Sequence, residues 1–158
     1  KEQISAMLSM SASGFATLGG DIGGLKGQLD SELYSRWLQL GTFSPLMRTH
    51  GSWSGGGDVL TSTRDPWNYG KEEVFKGYYY LRENIAKYVY SAALKSEQTG
   101  EPIVKALPVA FPNENSLFTV DDQYMFGDSI MVTPVTTSGA VSRNVVFPNN
   151  FIPCKNMH

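Results

Sequence analysis

The spacing of hydrophobic and polar positions divides the chain into two textures. In the first, Ser5 to Phe15 is small and apolar, which predicts a helix end running into a strand around Phe15–Leu18. A glycine-rich run, GFATLGGDIGGLKG, then occupies residues 14–27, with Asp21 its single acid. Asp30 stands where an N-cap belongs, and Leu29 is placed to pack against Tyr34 one turn into the following helix. That helix is predicted over Glu32–Leu40, with Leu33, Trp37 and Leu40 on one face and Gly41 as its stop. Thr42–Thr49 is a short strand-like run broken by Pro45, and it leads to Arg48 and His50. A glycine- and serine-rich loop covers Gly51–Asp58. A long helix is then predicted from Lys71 to Gln98, with Leu81, Ile85, Val89 and Ala93 at steps of four, stopped by Gly100 and Pro102. Strand, loop and helix in alternation is the pattern of a β/α repeat, in which the loops after strands carry the chemistry.

The second texture begins at Pro102. Ile103–Phe111, Ser129–Val135 and Arg143–Phe147 are β-rich runs separated by Pro, Asn, Gly and Asp, and no helical pattern follows Gln98. The expectation is α/β up to a boundary near Gly100, dividing residues 1–100 from 101–158, and then a small β-sheet or sandwich.

Composition narrows the function classes. The 158 residues are 41% hydrophobic and 18% charged, with a formal net charge of −2, so the chain reads as globular. Its lysines and arginines are scattered, which gives no footprint for nucleic acid or an acidic membrane. Cys154 is the single cysteine, and the two histidines are His50 and His158, so neither an internal disulfide nor a Cys/His metal cluster is expected. No cofactor is implied. No apolar run is long enough for a membrane helix, and no secretory leader is visible; one could lie upstream of Lys1. The glycine run lacks the Gly-Lys-Ser/Thr ending of a phosphate loop, and no Gly-x-Ser-x-Gly elbow occurs.

Asp21 has two readings from spacing alone. It either caps a plain turn, or sits on the rim of a strand end where bare backbone lets a ligand come close. On the rim it would accept hydrogen bonds directly or fix a neighbouring arginine that makes them. Arg48 and His50 are two positions apart, so on extended backbone they share a face. Arg48 would hold a carboxylate in a pocket or pair with a surface acid. His50 is a ligand contact or a structural histidine. Tyr78, Tyr79 and Tyr80 suit a stacking surface or buried packing.

Four blocks together carry a family resemblance: GFATLGGDIGGL, ELYSRWLQLGTFSPLMRTHG, YYYLRENIAKYVYSAALKSEQTGEPIVKALPVAFP and DDQYMFGDSIMVTPV. In order and spacing they resemble glycoside hydrolase family 31, which includes α-glucosidases and α-xylosidases. The resemblance covers residues 1 to 140 and leaves Val141–His158 unassigned. It implies the closing strands and helices of a (β/α)8 barrel, followed by the start of a β-sandwich. A whole barrel needs about 250 residues. The family's nucleophile and acid/base aspartates belong to earlier strands, so no residue here is assigned either role. The resemblance implies an oligosaccharide or glycoside substrate, and the rest of the same barrel as partner to this segment. It places His50 against the bound sugar, with Asp21 and Arg48 on the same rim. Leu25 stands where many members carry an aromatic at the site entrance, and it offers apolar contact without a ring face. Trp53 and Trp67 are candidate substitutes or, equally, loop packing. Asp121 and Asp122 fall at the barrel-to-sandwich junction and read as turn acids. The family also favours a secretory, lysosomal or extracellular setting.

Overall fold

The computed structural model describes residues 1–25, 29–51, 64–149 and 151–152. Helix α1 (Glu2–Ala12) buries Ile4, Met7, Leu8 and Ser11, a stripe at three- and four-residue steps. It packs on strand β3 (Val104–Ala106), where the Ser11 hydroxyl donates to the Val104 carbonyl. The strand anticipated at Phe15–Leu18 does not form. Phe15 is exposed, and the first strand, β1, is Asp21–Ile22. The chain pairs where glycine admits its neighbour, not where the apolar run lies. A Cβ on Gly19 would stand 2.6 Å from the Leu46 carbonyl oxygen, and the Leu46 N–H donates to the Leu18 carbonyl.

Helix α2 (Ser31–Thr42) starts as anticipated, with the Asp30 carboxylate accepting from the Leu33 N–H at 2.7 Å. Tyr34, Leu38, Leu40 and Gly41 are buried and Trp37 packs on the core, so the anticipated face holds at Trp37 and Leu40 and fails at Leu33, which is exposed. Tyr34 faces inward in its place: buried, its hydroxyl still donates to the Arg64 carbonyl at 2.9 Å, while its ring stacks on Tyr69 at 4.4 Å. Burial pushes the Tyr34 phenol pKa upward. Leu29 packs on this Ile22, Tyr34 and Leu38 cluster, as the staple predicts. Gly41 lies inside the helix, which closes at Phe43. Strand β2 (Arg48–Thr49) follows and pairs in parallel with β1, placing Asp21 opposite Arg48 and Ile22 opposite Thr49. β1, α2 and β2 therefore form one βαβ unit.

A 3₁₀ turn at Pro66–Tyr69 precedes two helices where one was anticipated. α3 (Glu72–Asn84) and α4 (Ala86–Thr99) meet at Ile85, whose φ of −94° and ψ of 5° leave the helical region. The residues on the core are Leu81, Ile85, Tyr88, Val89 and Ala92, with Ser96 buried below them. Ala93 is exposed, because a strict four-residue step outruns a 3.6-residue turn and drifts off the face. Gly100, at φ +74°, ends α4.

Beyond Gly100 the structure holds one antiparallel meander of β3, β4 (Tyr124–Phe126) and β5 (Ile130–Val132), in the order β3-β4-β5. The anticipated run Ile103–Phe111 is cut after Ala106 by a helical turn, α5 (Leu107–Ala110), with Pro108 in its first positions. Arg143–Phe147 forms no strand. Its backbone is held instead by the Gln123 amide, which accepts from the Val146 N–H at 2.9 Å and donates to the Val146 carbonyl at 2.8 Å.

The two textures share one core. Ile4, Met7, Leu8, Leu18, Leu40 and Phe43 cluster with Ile103, Val104, Tyr124, Phe126 and Val132. Beside it a ring of ion pairs closes on itself. Lys95 and Lys105 each contact both Glu101 and Asp128, at 2.5–2.9 Å, and the Lys105 side chain is only 8% exposed.

Candidate functional site

The parallel register of β1 and β2 brings the sequence-selected acid and base together. The Arg48 Nε donates to the Asp21 Oδ1 at 2.8 Å, with the arginine side chain 64% exposed and the aspartate 19%. This bond, and the charge behind it, raises the Arg48 guanidinium above its ordinary pKa. Asp21 thus holds an arginine, the contact that one of its two rim readings requires. His50 follows β2 directly and is exposed. Leu25 is exposed too, on the bend beyond Gly24, whose N–H donates to the Asp21 carbonyl at 2.7 Å. Gly23, at φ +86°, allows that turn. A Cβ there would also meet Leu29 at 2.6 Å and Arg64 at 3.0 Å.

Arg64 is a residue that sequence reasoning missed. It is buried, and its Nε donates to the Gly24 carbonyl at 2.8 Å, so it holds the glycine turn from beneath. Its Nη1 also donates to the Tyr69 hydroxyl at 3.1 Å. The sequence offered no signal: Arg64 stands between the polar Thr63 and Asp65 in TRDPW, which does not announce burial. Trp67 is 65% exposed on the 3₁₀ turn, while Trp53 and Asp58 lie outside the described residues. Asp121 and Asp122 take the structural roles expected of turn acids, pairing with Lys1 at 2.8 Å and Arg143 at 2.9 Å. Tyr78 turns inward to accept from the Gln39 amide at 2.8 Å, and Tyr79 and Tyr80 are exposed.

Among the described residues, no group of three or more His, Cys, Asp or Glu could hold a metal ion. No helix among them is long and apolar enough to cross a membrane. A carboxylate–guanidinium pair beside an imidazole and an exposed leucine is suited to a polar, neutral ligand with an apolar side. Charge-assisted hydrogen bonds would fix such a ligand's orientation.

Comparison with known proteins gives this arrangement a context. Residues 1–92 match the family model described as the glycosyl hydrolases family 31 TIM-barrel domain. Residues 100–156 match the model of the glycosyl hydrolase family 31 C-terminal domain. An α-glucosidase of Schizosaccharomyces pombe is 34% identical over 93% of this chain, which spans 15% of that protein. Among solved structures, the cycloalternan-forming enzyme of Listeria monocytogenes, in complex with a pentasaccharide substrate, is similar at a TM-score of 0.85. It is 31% identical, covering 92% of this chain and 14% of that one. A family 31 α-xylosidase from a soil metagenome, complexed with xylose, is similar at a TM-score of 0.75 and 30% identity, over 87% of this chain and 23% of that one. The chain thus spans about a sixth of the length of the curated relatives it matches.

Proposed function

Because this chain belongs to glycoside hydrolase family 31, we propose that it is part of a retaining hydrolase that removes terminal α-linked glucose or xylose from oligosaccharides or glycoconjugates. In this reading residues 1–100 close the catalytic barrel and residues 101–158 begin the β-sandwich domain. The segment supplies sugar-binding residues and not the catalytic pair. The observation that carries the reading is the Asp21–Arg48 contact across two parallel strand ends, with His50 directly following.

The roles follow from the chemistry. Asp21 holds the Arg48 guanidinium in one orientation, so Arg48 presents its remaining donors in a fixed fork. His50 makes a hydrogen bond to a sugar hydroxyl that strengthens as the anomeric carbon gains positive character. Leu25 lines the entrance with apolar surface, which favours a small or flexible leaving group over one that needs ring stacking. Retaining chemistry requires two carboxyl groups about 5–5.5 Å apart across the scissile bond. In our reading both come from barrel strands outside this chain, and those strands are its partner. The family setting favours a secretory or extracellular location. The competing reading is a non-catalytic carbohydrate-binding piece that keeps the scaffold without the chemistry.

One experiment separates the two. With a chromogenic α-glucoside, the full polypeptide carrying this segment hydrolyses the substrate and the 158-residue chain alone does not. His50→Ala in the full polypeptide lowers kcat/KM by roughly tenfold to a hundredfold, the scale of one lost hydrogen bond to a charged transition state. Unchanged kcat/KM returns His50 to a structural role. Turnover by the chain alone would show that the catalytic carboxylates lie within it.

A further inference from the structure

The backbone between α2 and β2 carries a run of buried acceptors. The last turn of α2 is closed locally. Leu38 and Leu40 carbonyls accept from the Thr42 and Ser44 hydroxyls at 2.9 Å, and the Gly41 carbonyl accepts from the Ser44 N–H at 3.2 Å. The next four carbonyls, Thr42 to Pro45, sit in a segment that is buried throughout. A buried carbonyl without a donor costs free energy, so each needs a partner. Two side chains serve all four. Arg82, on α3, donates through Nη1 to the Thr42 and Ser44 carbonyls at 2.7 Å each, and through Nη2 to Pro45 at 2.8 Å. Tyr124, on β4, donates to the Phe43 carbonyl at 3.0 Å.

We propose that Arg82 and Tyr124 are positioning residues for the sugar-binding rim, fixing the turn that delivers Arg48 and His50. The inference rests on the function proposed above. β2 is two residues long, so its pairing with β1 alone specifies little about where Arg48 and His50 point. Arg48 follows the clamped Pro45 by three positions. Anchoring four successive carbonyls leaves the turn one arrangement, and Arg48 and His50 inherit it. The planar guanidinium is the side chain that can span three carbonyls at once, which a lysine ammonium cannot match. Arg82 also lies 5.8 Å from the centre of the Phe126 ring, and Tyr124 is fully buried. The clamp is therefore built half from α3 and half from the C-terminal sheet. That sheet, distant in sequence from the rim, takes part in placing it.

The test uses the full polypeptide carrying this chain, 4-nitrophenyl α-glucoside as probe, and amide hydrogen exchange as a second readout. Tyr124→Phe keeps the buried ring and removes one donor, and Arg82→Lys keeps the charge and loses the fork. Glu101→Gln is the control, since it weakens the neighbouring ion-pair ring without touching the turn. Assayed well below unfolding, Tyr124→Phe lowers kcat/KM by about threefold to tenfold and Arg82→Lys by more, on the scale of one hydrogen bond and of several. Exchange quickens at Leu46–His50 in both. Glu101→Gln lowers the melting temperature and leaves kcat/KM alone. Unchanged turnover and exchange in Tyr124→Phe would overturn the clamp, as would an equal loss of turnover in Glu101→Gln. If the parent does not turn over the glucoside, the sugar-site reading fails, and exchange at Leu46–His50 by itself decides whether the turn is clamped.

Discussion

Two parts of this molecule pair carboxylates with cations, and they do so in opposite ways. At the rim, Asp21 meets Arg48 once, on two-residue strands, with most of the arginine side chain in solvent. At the junction with the C-terminal sheet, Lys95, Glu101, Lys105 and Asp128 close a ring in which every group has two partners. The ring lies beside a core where Tyr124 and Phe126 are wholly excluded from water. Lys95, Glu101 and Asp128 keep part of their side chains in solvent, but Lys105 is 8% exposed and held by both acids, so the ring's cations and carboxylates are already committed to one another. A group held once, at an edge, can be rigid and still available. On the proposed function, the fold keeps its stability at the junction and its chemistry on the rim.

The largest expected effect lies in the junction. Phe126 is fully buried, stands edge-on to Phe43 at 6.4 Å and lies against Tyr88 at 6.2 Å and the Arg82 guanidinium. Phe126→Ala removes that ring from a core shared by both textures, and costs about 3–5 kcal/mol. Urea or thermal unfolding reads it. A loss below about 1 kcal/mol, within the range of surface substitutions, would show that the two textures do not depend on a common core.

That shared core is also where the sequence was least legible. Local signals read well, because they rest on nearest neighbours. Asp30 caps α2, and Gly100 before Pro102 ends α4, each through backbone geometry set within a few residues. The meeting of Asp21 with Arg48 followed from topology, since the ends of adjacent parallel strands must lie side by side. What failed needed a distant partner to decide it. Tyr34, not Leu33, faces inward because its hydroxyl finds Arg64, thirty positions away. Arg82 and Tyr124 gave no signal, because their acceptors are backbone carbonyls that carry no side-chain signature. Arg143–Phe147 looked like a strand until Gln123 supplied the hydrogen bonds a strand would have.

Acid gives a middle-sized effect, and it sharpens the contrast between ring and rim. Hydrogen bonds from Lys105 and Lys95 hold both Glu101 and Asp128 below the ordinary carboxylate range. A carboxyl depressed in the folded state binds protons more tightly when unfolded. Its contribution is therefore complete above the ordinary values, about pH 4, and lost as pH falls through the folded ones. Burial pulls Lys105 down, but hydrogen bonds to Asp128 and Glu101 outweigh it and leave the lysine raised. That part of the stability is complete below about pH 10.4 and lost as pH rises through the raised value. The urea midpoint should fall on the acid side as pH drops below about 4 and through the depressed folded values. In a Glu101→Gln, Asp128→Asn double variant that limb should flatten. An equally steep acid limb in the double variant would move the acid sensitivity elsewhere in the molecule.

The smallest expected effect on stability belongs to the rim. Asp21→Asn removes the charge that holds Arg48 but keeps an oxygen at Oδ1, where the Arg48 Nε donates. Arg48 is largely in water, and an exposed pair of this kind is screened by salt and opposed by the entropy of ordering a long side chain. The ladder between β1 and β2 is main-chain and does not need the carboxylate. The melting temperature of Asp21→Asn should therefore match the parent within the scatter of the measurement, at low salt as at high. Turnover should not. An arginine tethered by a neutral oxygen samples more orientations, and the sugar hydroxyls lose a donor that fixes their position. On the proposed function, kcat/KM in the full polypeptide falls by about tenfold, the scale of one charge-assisted hydrogen bond. A variant that melts early would place Asp21 with the junction as a structural acid. One that melts normally and loses turnover keeps it on the rim, where stability can be spared and orientation cannot.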